Sequence, residues 1–195
     1  MNVRQKILKR IYPLFVVYER LKGRGRKLSQ EKSVHSIQPF YSLKAQLING
    51  KEFSFEELRG KKVLLVNTAS NCGYTNQYAE LQKLYQRSNE DLQIIAFPSN
   101  DFKEQEKGSD EEIEKFCSTN FGISFLLAKK SQVIKGSGQN IVFEWLTNKT
   151  LNGWNDQQPS WNFAKYLVDE EGNLTYYFDP AVSPLSEEVI RAVHG

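Results

Sequence analysis

The sequence predicts an α/β protein with a central mixed sheet flanked by helices on both faces. Three observations carry that reading. "VLLV" at 63–66 and "LQIIAFP" at 92–98 are apolar runs of the kind found in strands covered on both sides. Between them, "NQYAELQKLYQR" at 76–87 places Tyr78, Leu81, Leu84 and Tyr85 on one helical face. The unit is β-α-β, with a right-handed crossover. Later, "FAKYLVDEEGNLTYYFD" reads as two strands around an Asp-Glu-Glu-Gly-Asn turn.

The remaining elements follow in order. Ordered structure should begin near "IQPFYSLKAQLINGKEF", where residues 40–43 and 45–48 flank an Asn49-Gly50 turn and suggest a short hairpin. Thr75 is placed to cap the helix that starts at 76. "SDEEIEKFCSTNFG" is a helix with a Ser109/Glu112 capping box, acids in its first turn and Gly122 at its end. Cys117 lies near its C-terminus. "QNIVFEWLTN" and "SPLSEEVIRAV" supply two more helices. The order β-α-β, α, β-hairpin, α is that of a thioredoxin-like sandwich with an inserted helix.

At 195 residues the chain suits one domain with a tail. The expected division is a basic extension at 1–35 and the folded domain at 36–195. Residues 1–30 hold nine Lys or Arg against Glu19, a net +8; the whole chain carries +3, so the rest carries −5. The acidic body has no basic stripe for a nucleic-acid groove, and no nucleic acid is expected. "MNVRQKILKR" followed by "IYPLFVVY" has the order of a secretory signal. Its apolar run is too short to span a bilayer, contains Pro13, and lacks a small-residue cleavage site. Three readings stay open: a mobile extension, an amphipathic segment resting weakly on a membrane, and a mitochondrial presequence. The expected location is the cytoplasm, with peripheral membrane contact.

Two cysteines make neither a disulfide framework nor a zinc site, and no metal or cofactor is expected. His35 and His194 stand near opposite ends of the chain, which discounts a Cys–His pair. Cys72, in "NTASNCGYT", sits between a strand and a helix. It could be a buried packing thiol, half of a disulfide, or a nucleophile. The helix start ahead of it should favour a thiolate, exposed in the open turn. Gly73, Tyr74 and Thr75 follow without a partner cysteine, so Cys-X-X-Cys exchange is disfavoured. The alternative is attack on a peroxide oxygen, giving a sulfenic acid that a second thiol captures. Cys117 is the only candidate for capture.

"VNTASNCGYTNQYAELQKLY", "AFPSNDFKEQEKGSDEEIEKFC" and "WNFAKYLVDEEGNL" together resemble the three signature blocks of the glutathione peroxidase family, in that order. The similarity runs from about residue 41 to 193. It implies that Cys72 is the peroxidatic position, that Gln105, Trp161 and Asn162 complete the catalytic set, and that Cys117 is the resolving cysteine of thioredoxin-reduced members. Gln, Asn and indole N–H groups are neutral donors, able to hold a thiolate and a departing alkoxide without a competing base. Trp145 and Trp154 match no motif and read as packing, and Asn67 as a tie for the loop. Ser99 stands where many members carry a third cysteine, Lys103 and Glu104 where two small residues are common, and Lys107 where proline is usual. With two cysteines available, a thioredoxin-like reductant is expected rather than glutathione. The short stretch between "EWLTN" and "WNF" resembles the monomeric branch, with a site open to hydrogen peroxide and lipid hydroperoxides. Two competing readings use the same chain: a non-enzymatic peroxide sensor or relay, and an inert structural domain.

Overall fold

The computed structural model describes residues 3–21, 25–30, 34–88 and 90–195. The elements are α1 (Val3–Leu21), β1 (Lys27–Ser29), β2 (Lys44–Gln46), β3 (Glu52–Ser54), β4 (Lys62–Thr68), α2 (Gln77–Ser88), β5 (Leu92–Pro98), α3 (Asp110–Phe121), β6 (Leu126–Leu127), α4 (Ile141–Leu146), α5 (Lys149–Asn152), β7 (Lys165–Val168), β8 (Leu174–Phe178) and α6 (Glu187–His194). A six-stranded sheet has the order β1-β8-β7-β4-β5-β6, with β2 and β3 as a separate pair. β4, β5 and β6 are parallel, whereas β7 runs antiparallel to β4 and β8 to β7. This is the expected mixed sheet in a thioredoxin-like arrangement.

The apolar runs become strands because both faces are covered. Alternate residues of β4 enter opposite cores: Leu64 and Val66 join Tyr78, Leu81 and Leu84 of α2 and Val189 of α6, while Val63 and Leu65 join Phe143 and Trp145 of α4. Fully burying an aliphatic side chain of this kind contributes about 1.5–3 kcal/mol, so the two central strands anchor the fold. The α3 start has both halves of its capping box, and Gly122 ends the helix in the left-handed region at φ 60°. Trp145 is buried, its indole donating to the Gln38 carbonyl at 2.9 Å; Trp154 packs against the same core.

Three local expectations are corrected. The hairpin pairs 44–46 with 52–54 around Asn49-Gly50, and 40–42 forms a 3-10 turn instead of a strand. Buried Phe40 there packs edge-on to Phe55 at 5.0 Å, and that cluster overrides the alternation. Order starts well before residue 37. Lys27, Leu28 and Ser29 pair with β8 as an edge strand, and α1 packs on the body through Tyr12, Phe15 and Val16. A three-residue strand in basic sequence gives no periodic signal, and Pro13 sits inside α1. Finally, Thr75 does not cap α2: its hydroxyl is engaged inside the preceding turn, accepting from Cys72 N at 3.0 Å and donating to Ala69 O at 2.8 Å.

Candidate active site

Strand direction brings the chemistry to one edge. β4 and β5 are parallel, so the segments leaving their C-terminal ends, 69–76 and 99–109, emerge side by side. β7 is antiparallel to β4, with Lys165 opposite Val66, so the loop entering β7 arrives at that same edge. Cys72 comes from the first segment, Gln105 from the second, and Trp161 and Asn162 from the third. Ligand sites in open α/β sheets form at such C-terminal ends.

Hydrogen bonds lock the three segments together. The Asn67 amide donates to Trp161 O at 3.0 Å, its carbonyl oxygen accepts from Ala164 N at 3.0 Å, and its backbone oxygen accepts from Phe163 N at 2.6 Å. The tie expected of Asn67 therefore joins β4 to the tryptophan loop. Asn71 N donates to Gln105 O at 3.1 Å. Glu106, buried beside Gln105, accepts from Ser70 N at 2.7 Å and from the Ser70 hydroxyl at 2.9 Å. Under the loop, the fully buried Lys165 ammonium donates to Gln77 Oε1 and Phe163 O, both at 2.8 Å, and to Pro180 O at 3.3 Å. Neither Glu106 nor Lys165 was singled out from sequence. Glu106 lies in an irregular segment, and Lys165 opens β7, a strand buried on both faces, so neither stands out by periodicity.

Around Cys72 the donors converge. Tyr74 N donates to Sγ at 3.4 Å, and the side chains of Trp161 and Asn162 and the Gly73 amide also face the sulfur. The Asn162 amide donates to Gln105 Oε1 at 3.0 Å, so the glutamine and asparagine act as one unit. Asn162 Oδ1 is buried without a hydrogen-bond partner among the described residues. A lone buried acceptor costs about 1–3 kcal/mol unless a guest supplies a proton. Among the described residues, the non-glycine positions with positive φ are Lys103 and Glu104, both at 51°, and Phe163 at 70°. They flank Gln105 and Asn162, so the strained backbone sits at this site, at roughly 1 kcal/mol or more each.

One expectation fails here. Cys72 is not exposed; its relative accessibility is 0%. Burial pushes its thiol pKa above the ordinary value, and the Tyr74, Trp161, Asn162 and Gly73 donors pull against that rise without overcoming it. Regular α2 begins only at Gln77, after a series of tight turns, so the helix terminus lies beyond the first turn's reach of the sulfur. Cys117 is also buried, on α3, and its thiol is pushed up to about 12 by burial. The Tyr78 hydroxyl faces it. Both thiols are free, and both belong to one core cluster.

At the turn that carries Cys72 lies a cavity of about 860 Å³, lined by Gly73, Tyr74, Lys103, Gln105, Trp161 and Pro180, with Phe15 and Glu19 of α1 on one side. The Lys103 ammonium stands 5.8 Å from the Trp161 ring centroid. The described residues contain no cluster of three or more His, Cys, Asp or Glu that could hold a metal.

The family model described as glutathione peroxidase matches residues 40–147. The chain is 40% identical over 148 residues to glutathione peroxidase-like peroxiredoxin 2 of Saccharomyces cerevisiae, covering 75% of this chain and 91% of that one. It is also 40% identical over 160 residues to glutathione peroxidase-like peroxiredoxin HYR1 of the same yeast, covering 79% and 98%. Among solved structures, the crystal structure of Trypanosoma cruzi GPX1 matches with a TM-score of 0.60 and 25% identity, over 80% of this chain and 95% of that one. By its matched domain and its similarity to these proteins, the chain belongs to the glutathione peroxidase family and is a peroxidase, an oxidoreductase acting on peroxides.

Proposed function

We propose that Cys72 is the peroxidatic thiol of this peroxidase, that Gln105, Trp161 and Asn162 are its catalytic partners, and that Cys117 is the resolving thiol. The observation that carries the reading is the convergence of neutral N–H donors on one buried sulfur beside a cavity. In the first step the Cys72 thiolate attacks the terminal peroxide oxygen. An S–O bond forms, the O–O bond breaks, and the departing alkoxide or hydroxide takes a proton through water admitted to the cavity. Preorganised donors favour the charge that develops, each contributing about 3 kcal/mol in comparable sites. Cys72 becomes a sulfenic acid.

In the second step the Cys117 thiolate attacks the Cys72 sulfur, hydroxide leaves and is protonated to water, and a disulfide forms. The bridge needs Cα atoms within about 7 Å. Cys117 is held in a helix, so α3 loosens around it before the bond closes. A thioredoxin-like dithiol then restores both cysteines by exchange, in preference to glutathione. The substrates are hydrogen peroxide and organic or lipid hydroperoxides. The enzyme acts as a monomer, its catalytic domain spanning 36–195 and its basic segment at 1–35 appended. Its place is the cytoplasm, with peripheral membrane contact through the basic segment. No helix among the described residues is long and apolar enough to cross a membrane.

Peroxide consumption with a thioredoxin system tests the assignment. Cys72→Ser should be inactive, and Cys117→Ser should oxidise once and stall. Continued turnover by Cys72→Ser would sink it, and single-turnover oxidation without recycling in the unaltered protein would indicate a relay instead.

A further inference from the structure

α1 has two working faces. Its inner face lies on the catalytic body: Tyr12 is buried and its hydroxyl donates to Glu80 at 3.2 Å, the Gln5 amide donates to Ser70 O at 3.0 Å, and the Phe15 ring packs 4.9 Å from that of Tyr74. The outer face is largely apolar and exposed. Val3, Ile7, Ile11, Leu14, Tyr18 and Leu21 are between 46% and 83% exposed. At 100° per residue these six fall within an arc of about 80°, a stripe running the length of the helix. Stripes of this kind on a protein surface mark a docking face.

Charge identifies the occupant. Arg4, Lys6, Lys9, Arg10 and Arg20 lie in the same helix against Glu19. By helical position Lys6 and Arg10 border the stripe, and both are exposed. A second copy of the chain would set one cationic helix against another, which disfavours self-association through this face. An apolar stripe edged by cations, on a helix too polar to cross a bilayer, suits an anionic lipid surface. We propose that the outer face of α1 docks this protein on anionic bilayers, with the apolar stripe at the headgroup boundary and the cations among the headgroups.

The placement has a consequence for the substrate. Phe15 and Glu19, on the inner side of the same helix, form a wall of the cavity that Gly73, Tyr74, Gln105 and Trp161 line. A helix is about 10–12 Å across, so a docked bilayer stands that far from the cavity. Hydroperoxides held in the membrane are thereby the substrates within reach; this part rests on the peroxidase assignment, whereas the docking face does not.

The test is flotation of the full chain with phosphatidylglycerol-containing vesicles and with neutral phosphatidylcholine vesicles, for the wild type and for Ile7→Glu/Leu14→Glu. The wild type should float with the anionic vesicles and about tenfold less with neutral ones, and the double variant should lose binding. Hydrogen peroxide turnover should be the same in both proteins, which shows that the variant folds. Equal flotation of wild type and variant overturns the proposal, as does equal wild-type binding to neutral vesicles. A dimer in sedimentation velocity that the variant abolishes, without flotation, also overturns it. Flotation as expected without peroxide turnover supports the docking face and removes only the catalytic assignment.

Discussion

Cys72 is the residue where two effects compete. Burial raises its thiol pKa, and the Tyr74, Trp161, Asn162 and Gly73 donors lower it, with burial the larger. Iodoacetamide labelling of Cys72 should therefore rise with a midpoint above that of an ordinary cysteine. Trp161→Phe should shift the midpoint higher still and lower kcat/KM by about a hundredfold. A midpoint unchanged in the variant would mean that the indole does not hold the sulfur. Glu106 is a second such residue. Burial raises its carboxyl from 4.5 to about 7 against the pull of the Ser70 hydrogen bonds. Between those values the folded chain binds a proton that the unfolded chain has released, so this group makes stability fall as pH rises from 4.5 toward 7. Above that range the penalty is fully present. Glu106→Gln should flatten the slope and gain about 1–3 kcal/mol at pH near 8, read by urea denaturation at two pH values. An equal loss of stability at both would show that the Ser70 contacts outweigh the charge.

At the scale of elements, α3 couples the fold to the redox step. Gly122 N, in the left-handed cap, donates to the Cys117 and Ser118 carbonyls and so closes the turn that carries the resolving thiol. Gly122→Ala should cost about 1 kcal/mol in stability and speed disulfide closure after a peroxide pulse, followed by quenched-flow thiol labelling. Slower closure would argue that α3 need not loosen. Most of this architecture was legible in the sequence. The continuous apolar strands, the α2 stripe, the α3 capping box and the Asp-Glu-Glu-Gly-Asn turn each have local signatures, and all formed as expected. β1 and the 3-10 turn at 40–42 were not legible, because edge pairing and an aromatic cluster decide them. The candidate site was visible as residue types and blocks. Its electrostatics were not: a turn that looks open in sequence is closed by Trp161, Phe163 and α1, which come from distant parts of the chain.

At the scale of the whole molecule, the N-terminal segment is a covering layer over the matched domain. α1 presses Phe15 against Tyr74, and the ring lies where a side chain at Gly73 would have to go, at 3.2 Å. β1 adds a strand to the β8 edge. A chain shortened to begin at Ser36 should melt several degrees lower, since roughly 1–3 kcal/mol of packing is lost. It should also show faster alkylation of Cys72; unchanged alkylation would mean that the body alone closes the site. That closure bears on damage as well as catalysis. A sulfenic acid is carried irreversibly to sulfinic acid only if a second oxidant reaches the same sulfur. With Cys72 sealed from solvent and Cys117 already inside the same core, the internal thiol competes at high local concentration while the next oxidant must enter from outside. Inactivation by excess peroxide should therefore be rare per turnover, and Cys117→Ser should make it frequent.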